Sequence, residues 1–180
     1  EKFFRIVSVA IDEHYSKSSG LPLILAALPE HHNLFHHVNK NPLVQKEGIL
    51  FDTKLISNEK LAEMAWETMQ PIYLMKLNQV KEKFLLEKVN SRGSDSLEEV
   101  ARAVANGRVE TLLLEQNRII SGKITDAHSG IIEIGDLNEP EIGDLLDGIA
   151  ELATEKGAEV IVVSEENMPS LSGLAAIFRY

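Results

Sequence analysis

The chain has 180 residues, 44% of them apolar, and its 18 basic and 28 acidic side chains leave a net charge of −10. That is enough apolar material for one large or two small cores, and no run of 18 apolar residues is present to span a bilayer. The lack of cysteine excludes disulfides, thiol nucleophiles and thiolate metal sites, and it fits a cytoplasmic protein.

Glu1 leads straight into an amphipathic stretch with no charged n-region or cleavage site, which predicts a fragment of a longer protein. Phe3 to Lys17 reads as a helix, with Phe3, Val7, Ala10, Ile11 and His14 at helical spacing; being apolar on most sides, it is expected to be buried. Ser18-Ser19-Gly20 ends it. Leu21 to Leu28 gives a strand, with Pro22 tolerable only near its start, and Pro29 closes it. Glu30 to Val38 is a short helix, Asn39 to Pro42 a turn, and Ile49-Leu50-Phe51 a weak strand. Ser57 suits an N-cap before the stripe Leu61, Met64, Ala65, Thr68 and Met69. Pro71 either kinks one long helix or starts a second at its first position; the second reading is preferred, and the stripe resumes with Leu74, Leu77, Val80, Phe84 and Val89.

Asp95 or Ser96 can cap the next helix, whose Leu97, Val100, Ala101 and Val104 face inward, and Asn106-Gly107 ends it. Val109 to Leu114 follows as a buried strand. Ile119-Ile120 and Ile131 to Ile134 read as shorter strands around a polar turn through Asp126, His128 and Gly130. The last helix, Glu139 to Glu155, presents Ile142, Leu145, Leu146, Ile149 and Leu152 on one face and Asp144, Asp147, Glu151 and Glu155 on another. Gly157 to Val163 is a buried strand, followed by the breaker Met168-Pro169. Gly173, free to take positive φ, leads into a strand ending in Phe178-Arg179-Tyr180. Helix, glycine and buried strand in repetition predict an α/β fold with parallel strands.

Charge is segregated along the chain. Residues 1–40 carry four basic and four acidic side chains and residues 41–93 eight and seven, whereas residues 94–180 carry six and seventeen, a net −11. So acidic a segment repels phosphate, since nucleic-acid binding rests on Lys and Arg releasing counterions. A protein or another basic surface is the expected partner, and neither DNA nor a membrane is.

The order helix, Ala103 to Leu114, acidic helix, Gly157 to Val163, Met168-Pro169 and Gly173 to Tyr180 resembles the C-terminal domain of the archaeal and eukaryotic class I release factors and of Pelota, a fold shared with kink-turn-binding ribosomal proteins. Leu25 to His32, Asn41-Pro42-Leu43, Ser94-Asp95 and Gly135-Asp136-Leu137 are similar to the bacterial branch of the archaeo-eukaryotic release factor family, and the likeness covers nearly the whole chain. It implies an α/β protein with an incomplete, RNase H-like middle domain over residues 1–70 and an α/β/α C-terminal domain over residues 71–180. It also implies a cytoplasmic, bacterial, ribosome-associated factor of the termination, rescue or hibernation type, with the ribosome or tRNA and a docked protein as partners. In eukaryotic members a Gly-Gly-Gln loop orders water against the peptidyl-tRNA ester. No two glycines are adjacent here, so hydrolysis is assigned to no residue; either the chain begins after that loop or the parent protein lacks it.

Rival sites are few. His31, His32, His36 and His37 are the densest ligand cluster, and His32 with His36 has the i, i+4 spacing that aims two imidazoles at one metal. No third ligand is placed by spacing, and solvated or packed histidines are the plainer reading; a metal-dependent or other small hydrolase on this cluster is the alternative function. Asp136, Asn138 and Glu139 open like a calcium loop, but Glu141 stands where such a loop requires glycine and Pro140 intrudes. The acidic stripe Asp144, Asp147, Glu151 and Glu155 is a solvated face or a docking surface for a basic protein, which would make the chain an interaction module. Lys76, Lys83, Lys88 and Arg92, with Lys81, form the one basic run and the candidate RNA contact; Lys83 and Glu87 at i, i+4 favour ordinary helix pairing instead. No cofactor is expected, and no hydrolase elbow, Walker loop or dinucleotide fingerprint occurs.

Overall fold

A computed structural model describes residues 1–136 and 138–180. Contacts divide the chain into two units, Glu1–Lys76 and Leu77–Tyr180.

The first unit opens with helix α1 (Lys2–Ile11), a π-helical turn (Asp12–Ser16) and a short α2 (Lys17–Ser19) that stops at Gly20. The helix expected at Phe3 to Lys17 is therefore present, but it is not buried: Phe3, Ile6, Val9 and Tyr15 are exposed. The reason is one-sided packing. Helix α3 (Pro29–Val38) covers a single face of α1, where the Phe4 ring lies 5.5 Å from His31 and 6.1 Å, edge-on, from Phe35. Polar ties reinforce that face, with the Ser8 hydroxyl donating to Asn39 Oδ1 at 2.7 Å and the buried Asn41 Nδ2 donating to Ser16 Oγ at 2.6 Å.

Either side of α3, the chain pairs in parallel. Regular pairing is confined to β1 (Ala26–Ala27) and β2 (Ile49–Leu50), with an isolated bridge between Leu23 and Val44. The eight-residue strand expected from Leu21 is thus interrupted. Three positions separate Leu23 from Ala26 but five separate Val44 from Ile49, so two extra residues leave the ladder.

Helix α4 (Asn58–Val89) starts where the Ser57 hydroxyl accepts from Lys60 N at 3.3 Å and runs through Pro71 without a break. The expectation that Pro71 begins a second helix is overturned. A proline forfeits only its own N–H bond and crowds one carbonyl, and helical turns on both sides carry the chain past it. The unit boundary at Lys76/Leu77 accordingly falls inside this helix.

The second unit is a three-layer α/β/α arrangement. Its sheet has the order β3 (Gly93–Ser94), β9 (Leu174–Phe178), β4 (Val109–Glu115), β8 (Glu159–Val163). On one face lie Leu77, Val80 and Phe84 of α4, packed on Leu113, Val163, Ala175 and Ile177. On the other lie α5 (Leu97–Ala105) and α6 (Leu145–Glu155), burying Val100, Val104, Leu145 and Ile149 against Leu112, Leu114, Leu174 and Ala176. The alternation of β9 is complete: Leu174 and Ala176 face α5 and α6, while Ala175 and Ile177 face α4, as a strand covered on both sides requires. Only β4 and β8 are parallel; β9 runs antiparallel to both its neighbours. The segment 164–173 between β8 and β9 holds one short 3₁₀ turn, too little chain for a parallel crossover.

Between β4 and α6 a second sheet is inserted, ordered β6 (Ile131–Ile134), β5 (Ser121–Asp126), β7 (Gly143–Asp144). This corrects two expectations. Ile119-Ile120 is a loop that precedes the strand, and the last helix starts at Leu145 rather than Glu139. Gly143 and Asp144 are held in a ladder with Gly122 and Ser121, so the backbone cannot coil until Leu145. Leu137, within the resemblance segment Gly135 to Leu137, lies outside the described residues.

The chain's closing residues are tied from several sides. Gly173 has φ +83°, and a Cβ there would stand 2.5 Å from Arg118 Cδ. Arg108 donates to the Tyr180 carbonyl at 2.9 Å and places its guanidinium 5.4 Å and 5.8 Å from the Phe178 and Tyr180 ring centres. Arg179 donates to the Gly157 carbonyl at 2.8 Å.

Candidate functional site

The basic run does not form a free cationic face. Lys83 Nζ reaches Glu110 at 2.7 Å, Lys88 Nζ reaches Asp95 at 2.6 Å, and Arg92 grips Glu87 through two nitrogens at 2.6 and 3.2 Å. The helical pairing of Lys83 with Glu87 is replaced, because the turn after α4 bonds Arg92 N to the Glu87 carbonyl and carries the guanidinium back to that carboxylate. Lys76 is exposed at the end of the first unit. Lys123 is likewise held, by Glu141 at 3.2 Å and Glu133 at 3.6 Å; the Glu141 hydrogen bond, above all, raises its pKa.

The acidic stripe of α6 is shorter than expected. Asp144 is the N-cap: its Oδ1 accepts from Leu146 N at 3.0 Å and from Ile120 N at 3.2 Å, so this carboxylate serves the fold. Asp147, Glu151 and Glu155 remain exposed on α6. Asp147 also borders a hollow of about 430 Å³ at the carboxyl ends of β4 and β8, with Glu115, Arg118, Ile119, Asp144 and Val162 around it. Arg118 is spent there, donating to Glu115 at 3.1 Å and to the Leu171 carbonyl at 2.9 Å.

A larger hollow of about 610 Å³ lies over the start of α5, bordered by Lys88, Ser94, Glu99, Arg102, Arg108 and Phe178. The buried Ser94 donates to Glu99 at 2.5 Å and accepts from Ser96 N at 3.1 Å, while Ser96 Oγ accepts from Glu99 N at 3.5 Å. Sequence reasoning missed this hollow. The available signal was Ser96 followed three residues later by Glu99, the spacing of a capping box.

The histidines part company. His32 is buried, and its Nε2 lies 3.2 Å from both the Ala27 and the Ile49 carbonyls, so it carries the proton and clamps β1 to β2. The His36 ring centre is 6.2 Å away. His31 Nδ1 and His36 Nε2 are buried and have no hydrogen-bond partner among the described residues, and His37 is exposed. No three His, Asp or Glu side chains converge as a metal-ligand set among the described residues. Asp136, the start of the calcium-like segment, accepts instead from Asn138 N and Nδ2, at 3.0 and 2.7 Å.

An α/β/α unit with a tied Phe-Arg-Tyr ending, in a chain that also carries a smaller mixed unit, defines a release-factor-like protein. The chain belongs to bacterial archaeo-eukaryotic release factor family 3, whose family model matches residues 1–108, and it is accordingly translation-factor-like. Solved structures share the fold. The C-terminal domain of a peptide chain release factor from Methanosarcina mazei is 21% identical, with TM-score 0.54, over 72% of this chain and 96% of its own. Archaeal Pelota, in a model of its ribosome-bound complex with ABCE1, is 24% identical with TM-score 0.57, over 99% of this chain and 49% of its own. Dom34 from S. cerevisiae, described as a translation termination-like factor in RNA quality control that interacts with Hbs1, is 16% identical with TM-score 0.52, over 100% and 52%. The chain thus spans about half the length of Pelota and Dom34. A search of the curated proteins found no significant match. No helix among the described residues is long and apolar enough to cross a membrane.

Proposed function

We propose that this protein is a cytoplasmic, bacterial factor that visits the ribosome in termination, rescue or hibernation, and that its C-terminal domain docks a protein partner. In this reading residues 1–70 are part of the middle domain and residues 71–180 the C-terminal domain. The observation that carries it is the disposition of charge in the second unit. Lys83, Lys88, Arg92, Arg118 and Lys123 are each paired with a carboxylate, while Asp147, Glu151 and Glu155 stand exposed. Such a surface repels RNA phosphate and suits a basic protein. The complexes named for archaeal Pelota, with the ribosome and ABCE1, and for Dom34, with Hbs1, support the same reading by kinship.

Co-sedimentation with ribosomes tests it. The protein is expected in the ribosomal pellet, with Asp147→Lys/Glu151→Lys weakening recruitment of a protein partner from cleared extract but leaving the ribosome itself bound. Protein remaining free in every gradient fraction overturns the proposal.

A further inference from the structure

Among the described residues, the four-stranded sheet of the second unit leaves one long edge open. Of the two edge strands, β3 has only two residues, whereas β8 has five, Glu159-Val160-Ile161-Val162-Val163, paired on one side only, with β4. Gln116 N donates to the Val163 carbonyl at 2.8 Å, so the backbone polar groups of Val163 face β4. Alternation along the strand turns those of Ile161 and Glu159 the same way and those of Val160 and Val162 outward. These outward groups have no hydrogen-bond partner among the described residues.

Natural edges are usually blunted by lysine, proline, a bulge or a covering element. The register of β8 with β4 is unbroken from Glu159 to Val163, it holds no proline or lysine, and its Val162 side chain is 55% exposed. Beside Val162 the hollow at the strand ends offers exposed Ile119. The ends of the edge are acidic, with Glu155 and Glu159 before it, and Glu165, Glu166 and Asp147 after it, all exposed. Of the basic groups nearby, Arg118 is paired with Glu115 and Arg179 donates to the Gly157 carbonyl, while Lys156 is exposed between Glu155 and Glu159, leaving, among the described residues, five carboxylates to one free cation at the edge.

We infer that β8 is a docking edge for an extended segment of a basic partner protein, which adds as a fifth strand. This rests on the partner-docking reading above and gives it a place and a mode. The outward N–H and C=O groups of Val160 and Val162 bond the incoming backbone. An apolar side chain of that segment rests on Val162 and Ile119, and Lys or Arg at its ends meet the glutamates. A second copy of this chain is the wrong occupant, since pairing edge to edge sets two segments of net −11 against each other.

The probe is a ten-residue synthetic peptide alternating Arg with Val, and its Glu-for-Arg counterpart, titrated into the whole chain by calorimetry and followed by amide exchange. The Arg peptide is expected to bind saturably and slow exchange at Val160 and Val162, and the Glu peptide not to bind. Val162→Pro deletes an outward N–H that the fold does not use, at a position where an edge strand tolerates proline. It is expected to weaken binding tenfold or more, as is Val162→Lys, which keeps the backbone intact, while Val162→Thr stays within about twofold. Equal binding to Val162→Pro and Val162→Lys, no saturable binding of the Arg peptide, or self-association through β8 in place of peptide binding overturns the inference. Ribosome co-sedimentation of the same samples separates the two ideas. If it persists while the peptide fails, the ribosomal role stands without this edge; if it fails while the peptide binds, the edge stands without that role.

Discussion

The His32 imidazole joins two segments that are 22 residues apart in the chain, through the carbonyls of Ala27 and Ile49. Truncation removes that hydrogen bonding and opens a small void under β1 and β2. His32→Ala is therefore expected to cost about 2 kcal/mol of stability in urea unfolding, and His36→Ala less than about 1 kcal/mol. Equal costs would mean that the clamp contributes nothing. The i, i+4 spacing of these histidines is legible in the sequence, but their different tasks are not. What separates them is the parallel pairing of residues 23–27 with 43–51, a tertiary fact. Gly48 is a further hidden partner, since a Cβ there would stand 2.5 Å from His32 Cε1.

Two elements show how local rules compete. In α4 the pattern of Leu61, Met64, Leu77, Val80 and Phe84 was readable, but Pro71 obscured whether one helix or two carried it. Replacing it restores a main-chain bond inside a continuous helix. Pro71→Ala is expected to raise stability by about 1–3 kcal/mol and to increase helical circular dichroism; a loss of stability would show that proline's φ is needed there. The β5–β6 turn gives the pH-dependent case. Ser129, donating to Asp126 Oδ2 at 2.6 Å, and His128 N, donating to Oδ1 at 2.9 Å, hold that carboxyl below its ordinary range. A depressed folded value contributes stability that is fully present above the ordinary Asp pKa and lost as pH falls through the depressed one. Exchange of the His128 amide should accelerate over that acid window in the wild type and show no such step in Asp126→Asn. This hairpin was only half legible: the polar turn was found, whereas Lys123 and Thr125 hid the strand before it among polar residues.

At the scale of the molecule, the two units have separate cores, one around Phe35 and Ile49 and the other around the four-stranded sheet. Scanning calorimetry is expected to show two transitions, with His32→Ala lowering one and Phe84→Ala, at about 3–5 kcal/mol, lowering the other. A single transition moved by both substitutions would refute separate unfolding. The α/β class, the buried strands at Val109 and Gly173, and the acidity of the second half were all legible, because each is carried by a contiguous run of residues; the run after Gly157 was legible as a strand, but not as the half-exposed sheet edge that it forms. The strand directions and the pairing of Lys83, Lys88 and Arg92 were not, because both depend on which distant segments meet.

The place of β9 in the sheet also orders events in time. Leu174–Phe178 lies between β3 and β4, yet in sequence it follows every other strand. During synthesis the first strand, β3, has no neighbour to pair with until these residues have left the exit tunnel. The core facing Phe84 stays open for the same interval, because Ala175 and Ile177 form part of it. This half of the protein cannot fold progressively as it emerges; its sheet closes in a late step that spans some eighty residues of chain, which makes for slow folding and a nascent chain that must be kept from aggregating until then.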